Sequence, residues 1–374
     1  MRVVIVGGGV LGASAAYQVA REGAETVLVD RADQGRATAA GAGIVCPWGA
    51  KIDDAAAYAL LAAGARWYPQ LIGQLAEDGE RDVGYARVGS VYTPDDPRDL
   101  DAAERRLRGR VAAAPEAGSI ERLSPDEARR HFPPLRHDLG ALHVSGGARV
   151  DGRLLTAAMT RAAAVRGARI VDGSAELAVD GDRVNGVRVD GRTIEADVVV
   201  VAAGAWAPAL LAPLGIHLAV EPQRGQIVHL SLPGIDTRRW TTVQPLNGYY
   251  LLAFDDSRVV IGATRENGAG FDHRLTAAGV AEVLNAGLAT APGLAGWTLH
   301  ETRIGFRPLA TDNRPMLGPV RGLDGLLLGN GLGASGLTVG PLGGRLLAEA
   351  ALGLAPLVPL ADFDPMRIPS ASTA

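Results

Sequence analysis

VVIVGGGVLGASAAYQVAREGAETVLVD, residues 3–30, decides the fold. Val3–Val6 is a β-branched apolar run suited to a buried parallel strand, and it leads straight into Gly7, Gly8 and Gly9, with Gly12 following. The spacing is G-x-G-x-x-G. In such a turn Gly7 permits the tight reversal, Gly9 lets backbone approach a pyrophosphate, and Gly12 lets the helix pack closely on the strand. Val10 and Leu11 open that helix, whose N-terminal N–H groups and positive dipole end point at phosphate. Thr26–Val29 reads as a second strand ending at Asp30, where a carboxylate can accept hydrogen bonds from a ribose. Strand, fingerprint, helix, strand and acid in this order predict a dinucleotide site. The fingerprint does not separate NAD from FAD.

The 374 residues are enough for a large core and for two domains. An apolar fraction of 47% and a charged fraction of 21% are those of a soluble globular protein, and a net charge of −4 gives no basic field for nucleic acid. Lys51 is the only lysine, which we read as compositional bias toward arginine. Cys46 is the only cysteine, so an intramolecular disulfide is impossible. The first strand starts at the second residue, leaving no room for a cleavable signal peptide, and no apolar run reaches the length of a membrane span. These features lead us to expect a cytoplasmic protein, with contact to a membrane surface still allowed. The composition leaves homo-oligomerisation open.

Beyond Asp30 and Arg31, the loop ATAAGAGIV (37–45) is built of small residues that leave backbone room to lie against a flat or extended ligand. Asp53–Glu80 has helical spacing, as one helix or two. A short strand pair is expected around Gly89–Thr93, a charged helix over Arg98–Val111, and a helix start at Ser124, the capping residue. A helix runs from Gly152 to about Arg166. Strands at Ala168–Val171, Ala175–Asp180, Arg183–Val189 and Thr193–Glu195, with turns at Asp180–Gly181–Asp182 and Asp190–Gly191, read as a meander. Asp197–Val201 is a continuous apolar strand. Val220–Ile261 is strand-rich, Ala277–Thr290 helical, Thr298–Pro308 and Leu326–Leu328 extended. A helix over Gly336–Leu352 and an extended Pro-rich tail complete the pattern. A glycine-rich turn into a helix therefore stands at each end of the chain, and one long ligand spanning both explains this better than NAD does.

The sequence resembles the D-amino acid oxidase family of FAD-dependent amine oxidoreductases over almost its whole length. The resemblance is carried by VVIVGGGVLGASAAYQVA (3–20), ATAAGAGIV (37–45), VVVVAAGAW (198–206), PQRGQIV (222–228), YYLLAF (249–254), RVVIGATRE (258–266), IGFRPLATDNRPMLGP (304–319) and GNGLGASGLTVGP (329–341). It implies an α/β, two-domain α+β chain: a Rossmann-like FAD-binding domain from residues 1–80, 141–219 and 305–374, and a substrate domain on a mostly antiparallel sheet from 81–140 and 220–304. It implies FAD contacts at the fingerprint and at Asp30 and Arg31, and at Ala39, Ala40, Gly41, Gly43 and Ile44 of the small-residue loop. Further contacts are implied at Ala175, Ala203, Gly204, Trp206, Gly305 and Arg307, then at Gly331, Gly333, Ser335, Gly336, Leu337 and Thr338. Many members have Gly-His-Gly where this chain has Gly331–Leu332–Gly333, and members that attach flavin through cysteine carry one after the FRP motif. None lies there, so non-covalent FAD is expected, with Cys46 read as a small buried hydrophobe.

Arg307, between apolar neighbours and before Pro308, should be partly buried and so need an anion; the resemblance makes that anion the substrate carboxylate. Tyr250 matches the family's active-site tyrosine, and Tyr249 is the second candidate for that role: it falls on the opposite face if the strand is regular, and a single bulge would reverse the faces. Arg224 is a candidate second carboxylate ligand, or alternatively a brace at the domain junction. Trp48 and Trp206 read as pocket wall or core. The implied reaction is oxidation of the C–N bond of a small amino or imino acid to an imine, with oxygen or a quinone as acceptor. The resemblance implies, from its sarcosine oxidase branch, a lysine near the flavin that activates oxygen; Lys51 is the only lysine here, so a dehydrogenase is slightly favoured over an oxidase. An FAD-binding subunit of a larger amine dehydrogenase is the alternative.

Overall fold

The computed structural model describes residues 1–94 and 99–367. The fold is mixed α/β, as expected. A six-stranded sheet has the order Met316–Pro319, Leu326–Asn330, Val198–Val201, Arg2–Val6, Glu25–Asp30, Arg169–Asp172. All its neighbours run parallel except the Met316–Pro319 edge, which sequence reasoning did not anticipate. Val3–Val6 and Val199–Val201 are buried on both faces, which is why they are unbroken valine and isoleucine runs with no alternation.

One face of this sheet is covered by helices Val10–Arg21, Ala55–Glu77, Gly152–Val165 and Gly336–Ala351. The first and last of these touch backbone to backbone. The Ser14 hydroxyl donates to the Pro341 carbonyl at 2.6 Å, and a Cβ at Gly344 would stand 2.6 Å from the Ala15 nitrogen. The Ala55–Glu77 segment is one helix, with Asp54 accepting from the Ala57 N–H at 2.7 Å as its cap. The opposite face carries the meander Ala175–Asp180, Arg183–Val189 and Arg192–Glu195. The strand at Arg169–Asp172, expected in that meander, instead extends the parallel sheet beside Glu25–Asp30, because a helix precedes it and returns it to the same edge.

An eight-stranded, largely antiparallel sheet has the order Thr298–Ala310, Val220–Ser231, Arg258–Gly262, Tyr250–Phe254, Thr242–Pro245, Ser90–Thr93, Ala141–Val144, Ile120–Leu123. Ser90–Thr93 pairs here with Thr242–Pro245 and Ala141–Val144. Ala86–Arg87 joins a separate small sheet, so the two strands expected as a pair do not meet. The charged helix occupies Asp99–Val111, and Arg98 lies outside the described residues. Ser124 closes a capping box with Glu127. Beyond the last helix the tail is partly folded: Arg367 forms a two-pronged ion pair with Asp312 at 2.8 and 2.9 Å. Residues 368–374 of the expected extended tail lie outside the described residues. The expected domain boundaries at 141 and 305 fall against strand pairing, since Ala141–Val144 belongs to the eight-stranded sheet and Thr298–Ala310 runs unbroken through 305. We therefore propose boundaries near 145 and 311.

Candidate functional site

A cleft of roughly 1000 Å³ opens at the carboxyl ends of the parallel strands and continues onto the eight-stranded sheet. Open α/β sheets place ligands at that edge because loops and helix N-termini converge there. Gly7, with φ +108°, lets the chain turn where a Cβ would stand 2.5 Å from the Ala202 carbonyl oxygen. Gly9 is the N-cap of Val10–Arg21, with no side chain capping it, and a Cβ there would approach only the Thr38 hydroxyl, at 3.4 Å. Its other side is the cleft, so first-turn N–H groups beyond Val10, whose own N–H goes to Thr38, can meet an anion directly. Gly12 lies behind this turn, where a Cβ would run into the Gly7 carbonyl, and does not line the cleft. Val10, Leu11, Asp30 and Arg31 do. The Asp30 carboxylate accepts from Arg36 at 2.6 Å, and Arg31 pairs with Asp33 at 2.6 Å.

The small-residue loop forms a second wall. Ala40, Gly41, Gly43 and Ile44 line the cleft, while Ala39 turns its carbonyl to Arg153 at 3.0 Å and lies off it. The Thr38 hydroxyl, which sequence reasoning missed, accepts from the Val10 N–H at 3.1 Å and ties the loop to the fingerprint. Ala175 lines the cleft beside Gly173, and Ala203, Gly204 and Trp206 form its floor. Asn330 donates to the Gly204 carbonyl at 2.9 Å, joining this floor to the final turn. Gly333, Ser335, Gly336, Leu337 and Thr338 line the cleft where the Gly336–Ala351 helix begins, again without a side-chain cap. Gly331 faces the other way, a Cβ there being 2.9 Å from the Arg314 carbonyl oxygen. The cleft thus has two helix N-termini and a glycine-lined corridor between them, a donor set and shape that fit FAD.

At its far end the cleft meets Gly305, Arg307, Tyr250, Arg265, Gln244 and Lys51. Arg307 is partly buried and donates to the Gln223 amide oxygen at 3.3 Å and the Thr264 carbonyl at 3.0 Å; among the described residues no carboxylate lies within ion-pair distance of it. Burial pulls its guanidinium below the ordinary arginine value, and Tyr250 opposes that shift. Burial also pushes the Tyr250 hydroxyl up, with Arg307 opposing. At neutral pH the pair is a guanidinium beside a neutral phenol. Tyr249 points away from the cleft and donates to Glu282. Arg224 is also committed elsewhere: it grips Glu266 at 2.5 and 2.9 Å and Asp272 at 3.0 Å, off the cleft. Neither therefore takes up the candidate role at the substrate end that sequence reasoning gave it. An antiparallel strand alternates faces, and Arg224 and Arg307 fall on opposite ones, a distinction invisible in the RGQ motif alone.

Trp48 is buried outside the cleft, whereas Trp206 lines it and stacks on Phe271 at 5.1 Å. Cys46 touches the cleft wall with its thiol pushed up to about 11 by burial, and the Tyr92 hydroxyl donates toward its sulfur at 3.2 Å. Gln244 and Arg265 escaped the sequence reading because nothing in composition or spacing marks them. For Arg265 the signal was the quoted RVVIGATRE segment, read only as a strand.

The DAO family, described as FAD dependent oxidoreductase, matches residues 2–350. The chain is 46% identical to the uncharacterized oxidoreductase YurR of Bacillus subtilis (strain 168), over 97% of this chain and 98% of that one. It is 31% identical to a glycine oxidase of Pseudomonas aeruginosa, covering 97% of this chain and 98% of the other. Among solved structures, iminodiacetate oxidase from Chelativorans sp. BNC1 superposes with a TM-score of 0.95 at 53% identity, covering 97% of this chain and 99% of that one.

Proposed function

The chain belongs to the DAO family of FAD dependent oxidoreductases, and on that premise we propose that it oxidises the C–N bond of a small amino or imino acid to an imine, which then hydrolyses. The observation that carries this reading is Arg307: a partly buried guanidinium facing the cleft with only neutral oxygens for partners. A buried charge without a counter-ion is costly, and a planar two-pronged cation suits a carboxylate. Tyr250 can give its hydroxyl to the same carboxylate. Together they hold the substrate by one end, so that its α-carbon is presented toward the rest of the cleft. Bound FAD supplies the hydride acceptor.

The two helix N-termini, at Gly9–Leu11 and Gly336–Thr338, sit where they can balance negative charge on the cofactor through N–H groups and dipoles. Among the described residues the carboxylates that line the cleft are Asp30, Asp33 and Glu176, all on the nucleotide side, and none of them stands beside Arg307 to serve as base. The amine must reach the site neutral or lose its proton to water.

The 53% identity to an iminodiacetate oxidase supports a secondary amine as the substrate to test first. For the acceptor, the expectation of a dehydrogenase rested on a lysine-poor site, yet Lys51 lines the substrate end of the cleft. That placement, together with the oxidases among the relatives, supports oxygen. Anaerobic mixing of the yellow holoenzyme with a panel of glycine, sarcosine, iminodiacetate, proline and D-amino acids tests the reading. Bleaching by at least one amine is expected. A yellow protein that none of them bleaches would instead mark a flavin-holding subunit. Reoxidation by air-saturated buffer at the turnover rate identifies an oxidase, and slow reoxidation a dehydrogenase.

A further inference from the structure

The substrate end of the cleft holds more positive charge than one carboxylate requires. Lys51, Arg265 and Arg307 all line it, and among the described residues no acidic side chain does so at that end. Lys51 and Arg265 are held from two sides of one turn: Lys51 Nζ donates to the Leu246 carbonyl at 3.3 Å, and Arg265 Nη2 to the Gly248 carbonyl at 3.0 Å. Among the described residues neither has a carboxylate within ion-pair distance. The acid next in sequence does not supply one, because Glu266 is turned to the opposite side and bound to Arg224, Gln226 and Thr264. Arg265 also follows directly on Thr264, whose carbonyl holds Arg307 at 3.0 Å, so the two guanidinium groups are carried by one short piece of backbone. Arg265 is exposed, tethered by its bond to the Gly248 carbonyl, and its charge at the edge of the cleft near Arg307 raises the local potential for an anion.

We propose that Arg265 is a specificity residue that binds a second carboxylate of the substrate, so that the site selects amines bearing two carboxylates over otherwise equal amines bearing one. This rests on the reading that Arg307 holds the first carboxylate. The two anchors then hold such an amine at both ends, with the nitrogen and its reacting CH2 between them. Lys51, held by the Leu246 carbonyl of the same turn, adds to the attraction.

The test compares iminodiacetate with sarcosine, which share the secondary amine and the reacting N–CH2–carboxylate group and differ by one carboxylate. In anaerobic flavin reduction by holoenzyme, iminodiacetate should be the better substrate in kcat/KM. Arg265→Gln should shrink that preference by roughly tenfold or more, chiefly through KM, and Arg265→Lys should recover part of it. A preference that Arg265→Gln leaves as it was, or a parent enzyme that favours sarcosine, overturns the proposal. A binding arm separates this from failure of the oxidation reading: diglycolate and methoxyacetate, ether analogues that cannot form an imine, are titrated against the flavin spectrum. Tighter binding of diglycolate by the parent, lost in Arg265→Gln, upholds the second anchor even if no amine is oxidised. Equal binding of the two ethers sinks it even if amines are oxidised.

Discussion

Tyr250 and Arg307 act on one another across bare backbone. The Tyr250 hydroxyl lies over Gly262, where a Cβ would collide with it, and a Cβ at Gly225 would stand 2.6 Å from Arg307 Nη2. Gly225 belongs to the strand beside Arg307, and Gly262 to the strand beside Tyr250. Two glycines in the middle of a sheet cost stability, since glycine is a poor strand former. Here they lower the floor on which the two polar side chains rest.

Removing the anchor gives the first prediction. Arg307→Ala should retain FAD, if the cofactor is held mainly by the two helix ends, yet lose several kcal/mol, about 3–5, of transition-state stabilisation in flavin reduction by amines. Arg307→Lys should rescue only part, because a point charge lacks the fork. Stopped-flow reduction at matched flavin content decides, and a variant as fast as the parent makes Arg307 structural.

The floor itself is testable. Gly225→Ala puts a methyl group against the guanidinium, whose atoms are the three nearest to it, so Arg307 must shift. Displacement of about 1 Å should slow flavin reduction roughly 100-fold. Unchanged reduction kinetics would show that Arg307 need not hold its position.

On the nucleotide side, Asp30→Ala should weaken FAD binding by about 1.5–3 kcal/mol, as expected for loss of a charged acceptor. The carboxylate is now paired with Arg36 at 2.6 Å, so the variant also leaves that arginine without its counter-ion beside the cofactor. Equilibrium dialysis of FAD measures the effect. An unchanged dissociation constant removes Asp30 from the site.

Denaturation with acid should leave the yellow colour in solution. Cys46 is the only cysteine, is buried, and has its thiol pushed up to about 11, so it is a neutral and unreactive group at neutral pH. Colour retained in the pellet would show a covalent link and reverse this assignment.

A fifth prediction concerns stability. Asp78 accepts two bonds from Arg166, at 2.6 and 2.8 Å, and one from the Tyr17 hydroxyl at 2.5 Å, and Arg166 first of all holds its carboxyl below the usual range. A lowered folded value means the stabilisation is present above the unfolded carboxylate value, about 4, and disappears as pH falls through the folded one. Asp78→Asn should therefore lower Tm by roughly 2–4 °C at pH 7, and the gap to the parent should close toward pH 2. A gap of constant size across that range would assign the effect to packing instead of charge.

Much of the fold was legible in the chain because the residues concerned need only local conditions. Val3–Asp30 announces strand, turn, helix and strand through β-branching, glycine spacing and a closing acid, and each is a property of neighbours in sequence. The Ala277–Thr290 helix and the start of the Gly152–Val165 helix were readable for the same reason. Arg307 and Tyr250 were legible through a family resemblance, and Tyr249 was separated from Tyr250 by strand alternation. What sequence could not decide is which side chains share a space. Arg169–Asp172 looks like any meander strand until the crossover carries it to the edge of the parallel sheet. Spacing along the chain does not separate Arg224 from Arg265. Pairing across distant strands turns the first toward Glu266 and leaves the second on the cleft wall beside Arg307, because charge partners are set by sheet register and not by spacing along the chain.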